Sequence, residues 1–495
     1  MHAILKYIFL FLAPFYVNSL ECDQALLEEV RSYKPIVEGI IEETINGASK
    51  GLCYKKLADF VDKYQKRITG SQILEDSIDY LVSNLSSPES VMDEVWKEPA
   101  PDLPHWIRGR EEAFVVEPVK KKMATLAFGS SVATPNGQAL VAEAVVVENF
   151  DELYKLDPSQ VSGKIVVYNQ GYSSYGESRE YRYKAAPEAA KLGAVAALVE
   201  SIGPFSINSP HTGVTQYEDG VEKIPSIAIT KEDAEMLRRI YRRGQKIVLS
   251  IKSNSTMLSP VTSHNLVADY KGSEYPDKVV VVSGHIDNWD VGQGAMDDAG
   301  GMMLGLIAVE VINNLGLPRP KRTIRNILWT AEEQGLLGAE KYFNQHQNEL
   351  NNFVFVMESD SGTFDPQGLQ YTGDRQNGEC IIKEIVSMLA PINASKYEWT
   401  SGAVSTDITH FTDAGVPGAG LWDPDEIYFY FHHTEGDMMT VEDPDALDRA
   451  VALWTATAYI IADLNSDFPR STSTCLYSPS ILSLILLVYA LKTLL

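Results

Sequence analysis

The sequence predicts an α/β protein whose main domain is a mixed, mostly parallel sheet flanked by helices. From about residue 264 onward, apolar strand-like runs alternate with helical segments, which is typical of a parallel sheet covered by helices. Between about residues 105 and 260, short strand-like runs follow one another with one clear helix, which indicates a second, β-rich region. With 495 residues, 45% of them hydrophobic, the chain is long enough to bury more than one core.

The two ends of the chain are predicted to be targeting segments. Residues 1–19 join a weakly basic start to an apolar stretch and small residues, as in a cleaved secretory signal peptide. Residues 469–495 form a polar spacer and then the apolar run SPSILSLILLVYALKTLL, which contains Lys492 and is short for a membrane span. A lipid-anchor signal, a short tail anchor that attaches the protein to a membrane, and a soluble terminal helix are the three interpretations of this tail.

Between these ends the chain divides into three predicted parts. Residues 20–104 carry apolar positions at three- and four-residue spacing and are expected to be helical until the proline-rich stretch KEPAPDLPHWIRG breaks the regularity. Residues 105–262 contain the strand-like runs AFVVEPV, QALVAEAVVV, GKIVVYNQ, VAALVES, IPSIAIT and KIVLSIK, and the helical run YRYKAAPEAAKLGA. No cluster of Asp, Glu and His accompanies these runs, so this part is predicted to be non-catalytic. Residues 263–468 are the predicted catalytic domain.

Charge and cysteine content narrow the function classes. The formal net charge is −25, so the basic face that a nucleic-acid-binding protein needs is not expected. The four cysteines show no metal-type spacing, and a Cys22–Cys53 disulfide is the pairing we expect in a secreted chain. Three glycosylation sequons, at Asn84, Asn254 and Asn393, agree with passage through the secretory pathway.

Chemistry-bearing side chains follow four apolar, strand-like runs in the predicted catalytic domain. In open α/β sheets, ligands bind beyond the carboxyl ends of the strands, so these side chains are expected to meet in one crevice. The runs and their residues are VVVVSG followed by His285, Asp287 and Asp297, IRNILWTA followed by Glu332 and Glu333, NNFVFVMES followed by Asp360, and EIYFYF followed by His432 and His433.

This set of nitrogen and oxygen donors points to a metal centre. Imidazole and carboxylate ligands without cysteine suit catalytic Zn²⁺, with Mn²⁺ or Co²⁺ as substitutes. Five protein ligands are too many for one open catalytic zinc, but they fit two metals that share a bridging carboxylate, roughly 3.5–4 Å apart as in two-metal hydrolases. Taken singly, each motif is also compatible with a helix cap, a turn or a solvated surface.

Five motifs in this region resemble those of the M28-type co-catalytic zinc peptidases. They are GHIDNWDVGQGAMDDAGG, LWTAEEQGLLGAEKY, FVMESDSGTF, GVPGAGLWD and YFYFHHTEGDMMTV, and the resemblance extends from about residue 25 to 468. It implies the zinc-exopeptidase fold, with a protease-associated domain inserted at residues 105–262. It also implies that the active form is a homodimer.

The resemblance also assigns a role to each site residue. His285 and Asp360 would hold one zinc ion, Glu333 and His433 the other, and Asp297 would bridge the two. Glu332 would be the general base. Asp287 would accept the second ring N–H of His285, and the Asp297–Asp298 peptide bond would be cis. His433 is chosen over His432 because it heads the His-Thr-x-x-Asp pattern, which leaves His432 as a pocket or packing residue.

The function expected from these residues is hydrolysis of dipeptides or short peptides by a secreted or membrane-tethered enzyme with two Zn²⁺ per subunit. A general M28 aminopeptidase is the alternative within the same class. A catalytically inactive receptor or binding module is the alternative from another class. The complete set of five ligands and a base favours the enzyme.

Overall fold

The computed structural model describes residues 22–471. The predicted signal peptide and nearly all of the predicted C-terminal spacer and tail lie outside the described residues. Within residues 22–471, no helix has both the length and the apolar character that crossing a membrane requires.

Helices account for most of the first part of the chain and alternate with strands in the last part. In chain order they are α1 (Gln24–Ser32), α2 (Lys34–Ile45), α3 (Leu52–Val61), α4 (Gln72–Leu85), α5 (Phe150–Tyr154), α6 (Pro158–Val161), α7 (Tyr175–Ser178), α8 (Glu180–Ala190), α9 (Lys231–Arg242), α10 (Gly300–Asn314), α11 (Leu337–His346), α12 (Asn377–Met388), α13 (Thr409–Asp413), α14 (Asp425–Phe431) and α15 (Pro444–Asp463).

The strands fall into two large sheets and one short two-stranded ribbon. In chain order they are β1 (Glu94–Leu103), β2 (Trp106–Ile107), β3 (Glu111–Glu117), β4 (Lys121–Met123), β5 (Thr125–Ala127), β6 (Leu140–Val147), β7 (Ile165–Tyr168), β8 (Ala196–Glu200), β9 (Ser226–Ile229), β10 (Val248–Ser253), β11 (Thr256–Met257), β12 (Val261–Tyr270), β13 (Tyr275–His285), β14 (Arg322–Trp329), β15 (Phe353–Glu358), β16 (Gly368–Thr372), β17 (Lys396–Trp399) and β18 (Gly418–Trp422).

The first sheet confirms the predicted mixed, mostly parallel sheet flanked by helices. Its strand order is β1-β12-β14-β13-β15-β18-β16-β17, and the four central strands β14, β13, β15 and β18 run parallel. The helices α10 and α15 pack against this sheet, and both are apolar around nearly their whole circumference. A helix of that kind must be covered on all sides, and α2 and α3 provide the outer cover.

The second sheet has the order β4-β3-β10-β6-β7-β8-β9-β5 and lies within residues 111–253. Each of the six strand-like runs of this part of the sequence is a strand, and the helical run is α8. The helices α8 and α9 pack on this sheet, and the side chains around it form apolar clusters separate from the main core. The helix α9, whose last turn carries Arg239 and Arg242, was not predicted because one of its faces is highly charged.

Two local predictions are wrong. The proline-rich stretch before residue 105 does not break the structure, because it forms the edge strand β1, where Pro99 and Pro101 are tolerated. The aromatic run EIYFYF is the helix α14 and not a strand. Tyr428 and Phe429 of this helix contact rings of neighbouring segments, and this tertiary packing overrides the strand preference of aromatic residues.

The predicted Cys22–Cys53 disulfide is also wrong, because Cys22 pairs with Cys380. The helix α1 packs on α12, which brings Cys22, two residues before α1, against Cys380 in the first turn of α12. Cys53 is fully buried on α3 and remains a free thiol.

We therefore expect peptide mapping without reduction to recover Cys22 and Cys380 in one linked fragment. Because the bridge ties the start of the described chain to α12, Cys380→Ser should lower the free energy of unfolding by about 2–4 kcal/mol. Cys53→Ala is the control and should leave the linked fragment intact. A fragment that links Cys22 to Cys53 would contradict the assignment.

Candidate active site and metal centre

The site lies at the carboxyl edge of the parallel strands in the first sheet. Residue pairing is in register across this edge, with His285 opposite Trp329 and Ser283 opposite Glu358. Residues that directly follow β14 and β15 therefore emerge beside the end of β13. Three of the four predicted groups reach the site in this way, and His433 reaches it from the turn after α14.

Asp297 lies between two pairs of possible metal ligands. Its Oδ1 is 3.1 Å from His285 Nε2, which is itself 3.4 Å from Asp360 Oδ1. Its Oδ2 is 3.6 Å from His433 Nε2, which is 2.9 Å from Glu333 Oε2. Donor atoms that share one tetrahedral zinc at about 2.0–2.1 Å lie roughly 3.3 Å apart. Each carboxylate oxygen of Asp297 thus faces a separate donor pair at a spacing suited to one small cation.

The electrostatics of this cluster also call for a cation. Burial raises the pKa of the Glu333 carboxyl well above its usual range, and repulsion from Asp297 and Glu332 raises that pKa further. Asp297 Oδ2 is buried and accepts no hydrogen bond from any described residue. Burial, followed by the positive charge of Arg182, lowers the pKa of the His433 ring, which favours the neutral imidazole that binds metals.

Glu332 occupies a different position from the five candidate ligands. Its Oε2 is 3.8 Å from His285 Nε2, farther than the closest ligand contacts, and its side chain lines the open cavity. The backbone N–H of Glu332 donates to Asp287 Oδ1 at 3.1 Å, and that of Glu333 lies 3.4 Å from Asp287 Oδ2. Asp287 therefore fixes the turn that separates the two glutamates.

Asp287 contacts His285 through a different atom from the one predicted. The ring Nδ1 of His285 is 2.9 Å from the backbone carbonyl of Asp287, whereas the nearest carboxylate oxygen is 3.8 Å away. Nδ1–H donates to that carbonyl, which leaves Nε2 directed at Asp297 and Asp360. The Asp297–Asp298 peptide bond is cis, as the resemblance implied.

His432 and Asp298 also lie close to the cluster. His432 Nε2 is 4.0 Å from Asp297 Oδ2, and its ring packs edge-on against Tyr175. Asp298 could also join His285 and Asp360 around an ion, but its two oxygens already accept the backbone N–H groups of His285 and Gly301. These contacts fit packing and backbone roles better than metal ligation.

The loop between His285 and Asp297 is held by groups that sequence reasoning missed. The buried Arg67 donates from Nε to the carbonyl of Ile286 at 2.7 Å and from Nη1 to that of Gln293 at 2.8 Å. Asp437 Oδ1 accepts the backbone N–H groups of Ala295 and Met296. Asp437 could have been found as the last residue of the HTEGD pattern, whereas Arg67 carries no recognisable signal.

A glycine lets the helix after this loop approach the next strand end. A Cβ atom at Gly301 would lie only 2.0 Å from the carbonyl oxygen of Ser359, so no residue with a side chain fits at this position. The run DDAGG therefore begins with the candidate ligand Asp297 and ends with the glycine that lets α10 approach the segment after β15.

The second sheet, predicted to be non-catalytic, also supplies residues to the site. Arg182 Nη1 is 2.9 Å from His433 Nδ1 and donates to the carbonyl of Thr212 at 2.8 Å. The backbone N–H of Thr212 in turn donates to the carbonyl of His433 at 3.0 Å. A cavity of about 580 Å³ lies between the two sheets, with Tyr175, Arg179, Arg182 and Tyr183 in one wall. This wall was not predicted, because it consists of Arg and Tyr and the candidate site residues in the sequence were clusters of Asp, Glu and His.

Comparisons with known proteins agree with this geometry. Residues 265–458 match the sequence profile of peptidase family M28. Carboxypeptidase Q of Xenopus laevis is 46% identical over 443 residues, which cover 89% of this chain and 92% of that protein. These matches confirm the resemblance found in the sequence motifs.

Two solved structures share the fold. A peptidase M28 precursor from Shewanella amazonensis is 29% identical with a TM-score of 0.82, covering 89% of this chain and 99% of that one. BSAP, a zinc aminopeptidase from Bacillus subtilis, is 21% identical with a TM-score of 0.62, covering 85% of this chain and 99% of that one. The latter similarity shows the fold alone. With a 46% identical relative spanning most of its length, the chain belongs to peptidase family M28 and is a metallo-exopeptidase.

Proposed function

We propose that this chain hydrolyses the peptide bond of dipeptides or short peptides with the help of two zinc ions. The observation that carries the proposal is the placement of Asp297, whose two oxygens face two separate pairs of donors. The similarity to carboxypeptidase Q supports a short peptide with a free carboxyl terminus as the substrate.

The donor set fits zinc. His285 and Asp360 would hold one ion, Glu333 and His433 the other, and Asp297 would bridge them. Nitrogen and oxygen donors with a position left open are typical of catalytic zinc sites. When bound, a zinc pair activates a water molecule and polarises the substrate carbonyl. The buried and unpartnered Oδ2 of Asp297 is the atom whose desolvation this binding would offset.

Glu332 is the proton carrier in this proposal. Its carboxylate lines the cavity and lies outside the two donor pairs, so it is free to take a proton from water. It then delivers that proton to the nitrogen of the leaving amine. Asp287 holds the backbone of Glu332, which directs the carboxylate toward the cavity instead of the ligand cluster.

The second sheet orients the site and narrows access to it. We propose that residues 105–262 are the inserted protease-associated domain, because residues 111–253 form a separate sheet whose apolar clusters are distinct from the main core. Ile68, Trp289 and Val291 from outside this range pack into one of these clusters.

Thr212 from this domain holds both the ring and the backbone of His433. Its carbonyl accepts Nδ1–H of His433 at 3.2 Å, which leaves Nε2 free for a metal, and its backbone N–H donates to the carbonyl of His433. Arg182 donates to the same Thr212 carbonyl and so positions it. The opposing wall of the cavity restricts water around the reacting bond.

Entry into the secretory pathway and homodimer formation are further parts of the proposal. The sequon residues Asn84, Asn254 and Asn393 are all exposed, as glycosylation requires. The dimer is an expectation from the family resemblance. Membrane attachment through residues 469–495 likewise remains an expectation from the sequence.

We expect the purified protein to cleave unblocked dipeptides, and to cleave them faster than long peptides. Incubation with a zinc chelator should abolish turnover, and added Zn²⁺ should restore it, because the chain's own residues cannot activate the water sufficiently. A dipeptide library measured before and after chelation checks this. Equal turnover of long peptides, or selective release of the amino-terminal residue from them, would favour the general aminopeptidase.

The two neighbouring glutamates should respond differently to the same substitution. Glu332→Gln keeps the shape of the side chain but cannot accept a proton, so turnover should fall about 10²–10⁴-fold. Metal content should stay near that of the wild type. Glu333→Gln should lose metal as well as activity, because it removes a charged donor. Metal analysis of both variants decides the assignment, and the opposite pattern of metal loss would reverse the two roles.

Arg67→Lys tests whether the loop anchor matters for metal binding. Lysine keeps the charge but cannot reach several carbonyls at once, so the loop between the ligands should loosen. Zinc affinity should fall about 10–100-fold, as for other groups that orient ligands. Competition with a chromophoric chelator measures it. Lys55→Met, at an exposed position on α3 away from the loop, is the control, and an unchanged affinity in Arg67→Lys would refute the anchoring role.

A further inference from the structure

One wall of the cavity is formed by one face of the helices α7 and α8, which lie in the β-rich region of the second sheet. Tyr175, Arg179, Arg182 and Tyr183 all line the cavity. They follow one another at intervals of four, three and one residues across α7 and the start of α8, so they project from the same side.

Within this wall, Arg182 is already committed to protein contacts. It is buried, and it donates to the carbonyl of Thr212 and to the hydroxyl of Tyr175. The Tyr175 ring stacks on Phe429 with ring centroids 4.9 Å apart. Both terminal nitrogens of Arg182 are thus engaged by the protein, and its charge adds to the local positive potential.

Arg179 differs from Arg182 because its guanidinium has no partner among the described residues. The side chain is exposed, and among residues 22–471 the guanidinium makes no hydrogen bond or ion pair. Most other arginines of the described chain are paired, for example Arg325 with Asp269. An unpaired guanidinium that faces a cavity is a ready site for a planar anion.

The carboxylates of the cavity lining are assigned to other tasks. Among the described lining residues, the only acidic ones are Asp297, Glu332, Glu333 and Asp360. The proposed function uses three of them as zinc ligands and the fourth as the proton carrier. No acidic side chain of the described lining is left to bind the ammonium group of a substrate, whereas a guanidinium is free to bind its carboxylate.

We propose that Arg179 binds the free α-carboxylate of the peptide substrate and thereby selects for an unblocked carboxyl terminus. This inference rests on the proposed function, since it takes the cavity to be a peptide site. The planar guanidinium presents two parallel N–H donors to the two carboxylate oxygens. Because Arg182 and Tyr175 anchor the wall through their own contacts and the candidate ligands sit at the strand ends, the space between them limits the length of peptide that can be bound at both ends.

The test compares a dipeptide with the same dipeptide carrying a carboxyl-terminal amide. The wild type should prefer the free acid. Arg179→Gln should raise KM for the free acid about 10- to 100-fold, the usual value of a hydrogen bond to a charged group, and leave kcat largely unchanged. For the dipeptide amide, the KM and kcat of Arg179→Gln should equal those of the wild type. Arg179→Lys should show a smaller loss, because it keeps the charge without the paired donors.

Arg110→Gln is the matched control. Arg110 is also exposed and also has no side-chain partner in the described chain, but it does not line the cavity. Its kinetics should equal those of the wild type, and zinc content should be the same in all variants. If Arg179→Gln and Arg110→Gln behave alike, or if the wild type does not distinguish acid from amide, the inference is overturned.

Calorimetric binding of a non-hydrolysable dipeptide analogue separates this inference from the proposed function. The zinc-loaded wild type should bind the acid analogue more tightly than its amide, and Arg179→Gln should bind the two equally. Binding of this kind without turnover of any peptide would support Arg179 while refuting the proposed hydrolysis. Turnover of dipeptides with equal binding of acid and amide would refute Arg179 alone.

Discussion

The crowding of buried carboxylates around Asp297 is the constraint on which the rest of the site depends. Asp297, Glu333 and Asp360 gather around His285 and His433 at the end of the parallel strands. Burial raises the pKa of the Asp297 and Glu333 carboxyls, so it disfavours their charged forms. Such an arrangement is costly unless cations compensate it. The two histidines that complete the cluster are held so that their Nε2 atoms face the same carboxylate.

The supporting structure around Asp297 comes from distant parts of the chain. Arg67, from the N-terminal helical segment, holds the loop that precedes it, and Asp437 holds the backbone at Ala295 and Met296. Arg108 pairs with Asp290 of the same loop and also contacts Thr212 of the second sheet. The loop is thus fastened from both sheets, which explains how a run rich in glycine can place two ligands at fixed separation.

The sequence was sufficient to predict the elements that depend on local pattern. Strands β13, β14 and β15 are apolar runs followed by chemistry-bearing residues, and in-register pairing of parallel strands brings those residues together. Prediction failed where tertiary contacts decide the outcome. The helix α14 is stabilised by an aromatic contact between Phe429 and Tyr175 of α7, and the disulfide depends on the packing of α1 on α12. Arg182 was missed because a single arginine in a helical run carries no signal of its neighbour His433.

The geometry divides the work of the site between the two sheets. The first sheet carries every candidate ligand and the proton carrier, and their positions follow from the ends of its strands and the turn after α14. The second sheet supplies the wall with Arg179 and Tyr183, which contacts none of the candidate ligands except His433 through Arg182. Under the proposed function, substrate selection can therefore change through substitutions on α7 and α8 while the metal centre stays intact. Arg182 is the exception, because its guanidinium both lines the cavity and lies 2.9 Å from the ring of the candidate ligand His433. A substitution there would therefore affect substrate selection and the metal centre together.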